Sequence, residues 1–374
     1  QFMKPLFALS TALVTMLSPA FAQQAGQSKE SPGKSVSPGR SVKASASIRG
    51  KVVDASGKVM EGVTLSAFDE ERQLSVSVFS QADGTFVIDG LRDTTFNVRA
   101  RLLGQADEWQ KGVSADASAL AFAMKPATGT ILEKQRTANS GFSMLKWESA
   151  KDKHNFKMMC TYCHQPGTVG FRTPERPVDW ETMITRMDGF GGLYRHTQKT
   201  LVKRLIDTYS DEAVKKWPAF TPPPAPSGAA TKAKITEWDM GKRFEVMIHD
   251  LEIGSDGLVY AVDMAKNAVV TLDPRTGKRE IHRFPGKYRG PHSIELGNDG
   301  KMWCTLCNSG EMGYFDPKTK EFKIVSSAEA PARRGSYPHT LRINPKDPEG
   351  LIWYTDAGRN SVFSIHPETG FVKE

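Results

Sequence analysis

The fold of the C-terminal part of the chain is decided by one stretch, His292-Ser293-Ile294-Glu295-Leu296-Gly297-Asn298-Asp299-Gly300. The same pattern stands 43 residues earlier, from His249 to Gly257, and begins again 47 residues later at His339. Each copy continues to an aromatic residue that lies fourteen residues before a proline, namely Tyr260, Trp303 and Trp353. A repeat of about 40–45 residues with four short strands in each unit is typical of a β-propeller blade. Three blades are therefore predicted within residues 232–374.

These blades resemble the streptogramin (virginiamycin B) lyase-like propellers. The resemblance is carried by Pro291-His292-Ser293-Ile294, Asp299-Gly300-Lys301-Met302-Trp303 and Phe315-Asp316-Pro317. It implies a propeller of about six or seven blades, so the natural protein is expected to continue beyond Glu374. It also implies a C–O lyase that uses a histidine base and carboxylates holding Mg²⁺, although those residues belong to later blades. The family's aromatic-Phe-Thr-Glu segment is altered here to Trp303-Cys304-Thr305-Leu306 and Trp353-Tyr354-Thr355-Asp356, which puts lyase activity in doubt.

One repeat position carries a histidine in all three blades, at the start of the innermost strand: His249, His292 and His339. Propeller symmetry would bring these side chains around the central channel, where several imidazoles can bind a divalent metal ion. The alternative is that each imidazole hydrogen-bonds the backbone of the neighbouring blade. Both interpretations remain open at this stage.

A second motif, Cys160-Thr161-Tyr162-Cys163-His164, has the spacing of c-type haem attachment. Two thiols about one helical turn apart can reach the two vinyl groups of a haem, and the adjoining imidazole can bind the iron from below. The motif predicts covalent haem c, with Cys160 and Cys163 as attachment points and His164 as proximal ligand. A redox or disulfide pair and a zinc half-site are the alternatives.

Helical spacing surrounds this motif. Trp180, Met183, Ile184 and Met187 recur at i, i+3, i+4 and i+7, and a second apolar stripe spans about Gln198 to Tyr209. The motif and its two helices resemble a small class I cytochrome c domain, predicted over residues 140–218. The resemblance implies Met187 as the sixth iron ligand, with Met183, His196 or an open position as alternatives.

Residues 47–126 alternate between apolar and polar, with Gly and Asp at the turns, which predicts a small antiparallel β-sandwich. The segments Gly50-Lys51-Val52-Val53-Asp54, Gly62-Val63-Thr64-Leu65 and Asp83-Gly84-Thr85-Phe86 closely resemble carboxypeptidase regulatory-like domains. That resemblance implies a rigid adaptor or a binding platform. The predicted fold class is thus multidomain: an N-terminal β-sandwich, a small all-α cytochrome c-like domain and a truncated C-terminal β-propeller.

The N-terminus predicts export. Lys4, an apolar run from Leu6 to Leu17 and the small-residue site before Ala22 indicate a signal peptide over residues 1–22, hence a periplasmic or secreted protein. Residues 23–46 form a Ser/Pro/Gly/Lys-rich linker, and residues 219–231 a Pro-rich one. Five basic residues against Glu30 place half of the net charge of +8 before residue 47. This charge therefore belongs to a solvated arm and argues against nucleic-acid binding, and no segment predicts a transmembrane helix.

These features predict an exported c-type haem protein, in which the propeller binds or converts a substrate and the haem transfers electrons. Its partners would be a small-molecule substrate or a redox partner protein. One alternative is a lyase with an accessory haem domain. The other is a non-catalytic binding protein.

Overall fold

The computed structural model describes residues 46–161, 165–172, 179–188, 198–242, 245–325 and 335–374. The predicted signal peptide and residues 23–45 of the predicted linker lie outside the described residues. Ala44–Glu374 form one unit. No helix in the described part of the chain is long and apolar enough to cross a membrane.

Alternating side chains build a β-sandwich at the N-terminal side, because every second residue of its strands faces the core. A three-stranded sheet has the order β4-β1-β7, in which β1 and β7 run parallel. The core between the sheets includes the fully buried Ile48, Leu65 and Ile88. The first seven strands are β1 (Ala46–Asp54), β2 (Thr64–Asp69), β3 (Leu74–Phe79), β4 (Thr85–Leu91), β5 (Thr95–Arg101), β6 (Glu108–Ser114) and β7 (Leu120–Met124).

The opposite sheet gains its fifth strand from a distant part of the sequence. Strand β8 (Ile235–Trp238) pairs antiparallel with β3, which gives the order β6-β5-β2-β3-β8. The Pro-rich segment before it lies along the sandwich: a Cβ on Gly62 would overlap the carbonyl oxygen of Pro226, and Gly228 N–H donates to Glu61 Oε1 at 2.8 Å. The segment predicted as a linker is therefore held against the sandwich, and it leads through a short 3-10 helix at Gly228–Lys232 into β8.

In the residues that the structure describes between β7 and β8, the chain forms seven short α-helices. The longest, α6, has the bounds predicted from its apolar stripe. Buried Arg172 donates to three backbone carbonyls, those of Gly167, Glu133 and Arg136, and so satisfies acceptors at the helix ends. The helices are α1 (Gly129–Lys134), α2 (Ala138–Ser143), α3 (Ala150–Cys160), α4 (Val169–Arg172), α5 (Trp180–Asp188), α6 (Gln198–Tyr209) and α7 (Asp211–Val214). Their shared core is Leu145, Phe156, Trp180, Ile184, Leu201, Leu205 and Tyr209.

The two ends of the helical segment contact the sandwich at the same turn, between β5 and β6. On the way out, Ala127 N–H donates to the carbonyl of Gly104 at 2.9 Å, and Gly104 N–H donates to Gln135 Oε1 at 2.7 Å. On the way back, a Cβ on Gly104 would lie 2.8 Å from Pro222 Cγ. The helices are therefore an insertion between two sandwich strands.

The repeats fold into three antiparallel four-stranded sheets, each in sequence order, with the inner strands β9, β13 and β17 side by side. The second hairpin of each sheet turns through a left-handed residue, Asn267 (φ 52°), Gly310 (φ 67°) or Asn360 (φ 56°). The strands are β9 (Ile248–Ile253), β10 (Val259–Asp263), β11 (Ala268–Leu272), β12 (Arg279–Arg283), β13 (Pro291–Leu296), β14 (Met302–Leu306), β15 (Glu311–Phe315), β16 (Phe322–Val325), β17 (Pro338–Ile343), β18 (Ile352–Asp356), β19 (Ser361–Ile365) and β20 (Val372–Lys373).

The chain is thus mostly β-sheet, with an N-terminal sandwich-like region and sheets consistent with propeller blades. This much of the predicted fold class is confirmed. The helices that the structure describes are short, and they do not show the distinct all-α haem domain that was predicted.

Candidate functional site

The three repeat histidines come together in a row across the inner strands. The ring centroids of His249 and His292 lie 3.6 Å apart, and those of His292 and His339 lie 4.1 Å apart. Each ring is the second residue of its inner strand, so the repeat itself places the row. The grouping predicted from propeller symmetry is present.

Hydrogen bonds to the next blade orient these rings. His249 Nδ1 lies 3.0 Å from the carbonyl oxygen of His292, and His292 Nδ1 lies 3.0 Å from the carbonyl oxygen of His339. Because a carbonyl oxygen only accepts, both Nδ1 atoms carry a proton, and Nε2 is the acceptor whenever such a ring is neutral. His339 Nδ1 lies 2.9 Å from Thr340 Oγ1. The rings of His249 and His292 therefore hydrogen-bond the backbone of the neighbouring blade, which is the alternative to metal binding.

Two rings of the row, those of His292 and His339, favour the uncharged form. Burial lowers the pKa of His292 to about 3, with further lowering from the imidazoles of His249 and His339, against the opposing effect of Asp250. Burial also lowers the pKa of His339, and His249 adds to that effect. His292 and His339 are therefore neutral at physiological pH.

The cofactor prediction is contradicted for the divalent metal. No group of three or more His, Cys, Asp or Glu side chains in the described part of the chain is arranged to hold a metal ion. The geometry of the histidine row gives the reason. Imidazoles that share a tetrahedral ion at the usual Zn–N distance point inwards, with ring centroids roughly 5 Å apart. These rings lie closer, side by side, so their nitrogens do not converge on one point.

The same finding contradicts covalent haem c. Cys160 ends α3, and burial raises the pKa of its thiol to about 11, which keeps it protonated and a weak nucleophile. Cys163 and His164, like the alternative ligand His196, lie outside the described residues. Met187 is half-buried on α5 and Met183 is exposed.

A polar set on the same inner strands was missed by the sequence reasoning. The third residue after each histidine is charged: Glu252, Glu295 and Arg342. Burial raises the pKa of Glu295, its Oε2 has no hydrogen-bond partner among the described residues, and Arg342 Nη1 lies 3.7 Å from it. The alignment of the repeats contained the signal, because a charged residue recurs there at one position of all three inner strands.

Asp250 completes this set. Ser293 Oγ donates to Asp250 Oδ2 at 2.6 Å, which links the inner strands of the first two blades. The inner-strand site, defined as His249, His292, His339, Asp250, Glu252, Glu295 and Arg342, thus combines neutral nitrogen acceptors, carboxylates and one guanidinium.

Comparison with known proteins identifies one part of the chain. Residues 47–125 match the carboxypeptidase regulatory-like domain family, which confirms the resemblance of the sandwich. No curated protein matches the chain.

Solved structures show only weak and partial likeness to the blades. A catalytically inactive virginiamycin B lyase from Staphylococcus aureus with quinupristin is 20% identical over 38% of this chain and 44% of its own, with a TM-score of 0.32. A streptogramin B lyase is 20% identical over 39% and 45%, with a TM-score of 0.32. A nidogen/laminin complex is 14% identical over 34% and 48%, with a TM-score of 0.29. The chain spans less than half of each, and TM-scores this low support no functional argument.

Proposed function

We propose that the chain is an exported binding protein whose inner-strand site holds an uncharged, donor-rich small molecule. The observation that carries the proposal is the row of three imidazoles on the inner strands that also carry Glu252 and Glu295. Burial keeps two of these rings, those of His292 and His339, neutral. In such rings Nε2 accepts hydrogen bonds, and the carboxylates accept further ones. A ligand with several hydroxyl or amide donors, such as a neutral oligosaccharide or an amide-rich ring, matches this set.

Arg342 gives the site an orientation. Its guanidinium is exposed and lies at the repeat position that carries a carboxylate in the other two blades. A ligand laid across the three strands would donate to Glu252 and Glu295 and accept from Arg342. His249, His292 and His339 accordingly belong to the proposed site as wall residues, without a metal ion.

The sandwich is proposed as the rigid support for this site. Arg279, on the outer strand of the first blade, donates to the carbonyls of Arg72 and Gln73 in the β2–β3 turn, at 3.2 and 3.0 Å. Asp239 N–H donates to the same Gln73 carbonyl at 2.8 Å. The proposed organisation keeps a signal peptide over 1–22, a sandwich over 47–126, a helical region over 140–218 and blades within 232–374. It moves β8 from the blades to the sandwich, so that the first blade begins at β9.

The test is ligand binding by the exported chain. Saturation-transfer NMR with maltotetraose, cellotetraose and chitotetraose should detect a saturable ligand, and Glu252→Gln should weaken it about tenfold or more by removing a charge-assisted hydrogen bond. Glu321→Gln, an exposed carboxylate beside β16, is the matched control and should change nothing.

Failure of all three probes to bind, or equal binding by both variants, would overturn the proposal. Mass spectrometry of the recovered ligand adds an independent reading. If the ligand is cleaved or undergoes elimination during incubation, the chain is a lyase and not a binding protein.

A further inference from the structure

A stacked cluster lies on the outer face of the five-stranded sandwich sheet, far in sequence from the inner-strand site. It consists of Phe68 on β2, Arg99 on β5 and Trp109 on β6, three adjacent strands of the sheet. The ring centroids of Phe68 and Trp109 lie 5.3 Å apart, and Arg99 Cζ lies 5.2 Å from the first and 5.4 Å from the second. Cation–π attraction to both rings holds the guanidinium in place.

Trp109 is an exposed side chain with a fixed orientation, and it is not part of the core. Its side chain is 47% exposed, although Phe68 and Arg99 fix its orientation. A large aromatic held rigidly in water loses little conformational entropy when a ligand stacks on it, which favours binding.

Arg99 is not engaged in an ion pair within this cluster. It forms no hydrogen bond or ion pair among the described residues, and its Nε is buried without an acceptor. Burial lowers the pKa of Arg99 and the nearby Arg101 adds to the effect, while the carboxylates of Asp107 and Glu237 oppose it. Arg101, by contrast, pairs with Asp107 at 3.3 Å. A guanidinium with open donors is the best protein group for a planar carboxylate.

The sheet beside the cluster carries polar side chains. Ser66 lies opposite Arg99 in the register and accepts a hydrogen bond from Ser77 Oγ at 2.8 Å. Asn97, opposite Phe68, donates to Glu70 Oε1 at 2.5 Å. The Ser66 and Ser77 hydroxyls are buried, so the polar groups open to a ligand are the Asn97 amide and the Glu70 carboxylate. Such hydrogen-bonding groups around one exposed aromatic suit the hydroxyl-rich edge of a sugar better than the apolar face of a protein partner.

We propose that this face binds an acidic glycan, with a sugar ring stacked on Trp109 and its carboxylate bound by Arg99. The proposal is independent of the inner-strand site, because the two lie on different sheets and use different residues. It assigns the sandwich a ligand of its own beside its role as support.

Isothermal titration of the full chain with polygalacturonate tests the proposal, with methyl-esterified polygalacturonate and dextran as uncharged counterparts. We expect saturable binding of the acid, and at least about tenfold weaker binding of the ester and of dextran. Trp109→Ala and Arg99→Lys should each weaken binding of the acid by about tenfold, since lysine lacks the planar fork. Trp353→Ala, which removes a tryptophan that is 45% exposed on the third blade, is the matched control and should bind as the parent chain does.

Equal affinity for the acid and its ester would overturn the proposal, and so would undiminished binding by Trp109→Ala. Equal binding of polyglutamate would also overturn it, because the interaction would then depend on negative charge alone and not on a sugar ring. If Trp109→Ala fails to fold, the affinities of Trp109→Phe and Arg99→Lys for the acid are compared. The phenylalanine variant should keep most of the affinity, and the lysine variant should lose it.

Discussion

The sandwich and the blades bury their apolar side chains in different ways. The sandwich core is drawn from its own strands between Ile48 and Met124. The blade cores are shared: one cluster joins Tyr260 and Val262 of the first blade to Ile294 and Met302 of the second, and another joins the second blade to the third. A sandwich sheet is therefore stabilised within its own domain, whereas each blade depends on its neighbour.

One pair of equivalent residues shows what a neighbouring blade contributes. Trp303 and Trp353 hold the same repeat position, but Trp303 is fully buried and Trp353 is 45% exposed. Trp303 packs in the cluster that contains Leu341 and Ile352 of the third blade. The two tryptophans differ in exposure because the third blade covers Trp303.

The largest predicted effect tests this dependence. Trp303→Ala should lower the free energy of unfolding by about 3–5 kcal/mol, because it removes a large buried side chain and leaves a cavity. Trp353→Ala should cost less than about 1 kcal/mol, as expected for a half-exposed side chain. Chemical denaturation measures both, and hydrogen exchange should show faster opening in the second and third blades. Protection lost equally in the sandwich would contradict the comparison.

The contact between the two regions is the next target. Arg279→Met removes charged hydrogen bonds to two backbone carbonyls of the sandwich and should cost about 1.5–3 kcal/mol. Arg275→Met is the control, since Arg275 is exposed and bonds only the neighbouring Asp273 within its own turn. Differential scanning calorimetry should resolve one transition in the parent chain and a separated blade transition in Arg279→Met. A single unshifted transition would mean that the sandwich does not support the first blade.

The histidine row predicts a pH dependence that the sandwich lacks. The pKa of His292 is lower in the folded chain than in the unfolded one, so the unfolded chain binds the extra proton as the pH falls below the ordinary value. The contribution of His292 is present above about pH 6.5 and is lost towards pH 3.

His292→Asn keeps a donor for the His339 carbonyl but cannot titrate. Between pH 7 and pH 4 it should lose at least about 1 kcal/mol less stability than the parent chain. Denaturant midpoints measured across this range provide the check, and parallel pH profiles for the two proteins would refute the assignment.

The smallest effect concerns a turn. Asn360 adopts φ 56°, and the second blade has Gly310 at the same position. Asn360→Gly should change stability by less than about 1 kcal/mol, while Asn360→Val should destabilise by more, because a β-branched residue resists positive φ. Thermal melts of the two variants side by side are sufficient. A valine variant as stable as the parent would show that the turn is not held in this conformation.

Local patterns in the sequence predicted the elements but not all of their partners. The alternation around Ile48 and the spacing of Trp180 and Ile184 act within one strand or one helix, so they can be seen in the sequence. The pairing of Ile235–Trp238 with β3 joins segments about 160 residues apart, and no periodicity encodes it. The strand was accordingly assigned to the blades.

The candidate sites divide in the same way. The histidine row followed from the repeat, because one residue type recurs at one position. Its chemistry did not follow, since ring spacing and backbone acceptors decide between metal binding and hydrogen bonding. The stack of Arg99 on Trp109 and Phe68 depends on strand register alone, and neither residue type nor spacing marks it in the sequence.

The shared turn at Gly104 has a consequence for how the molecule can be altered. A segment whose two ends lie close together can be removed or replaced with little displacement of the residues on either side. The helices are thus an insertion that the β-sheets do not need in order to fold. A chain in which a short glycine bridge replaces them should still close its sandwich and display its blades.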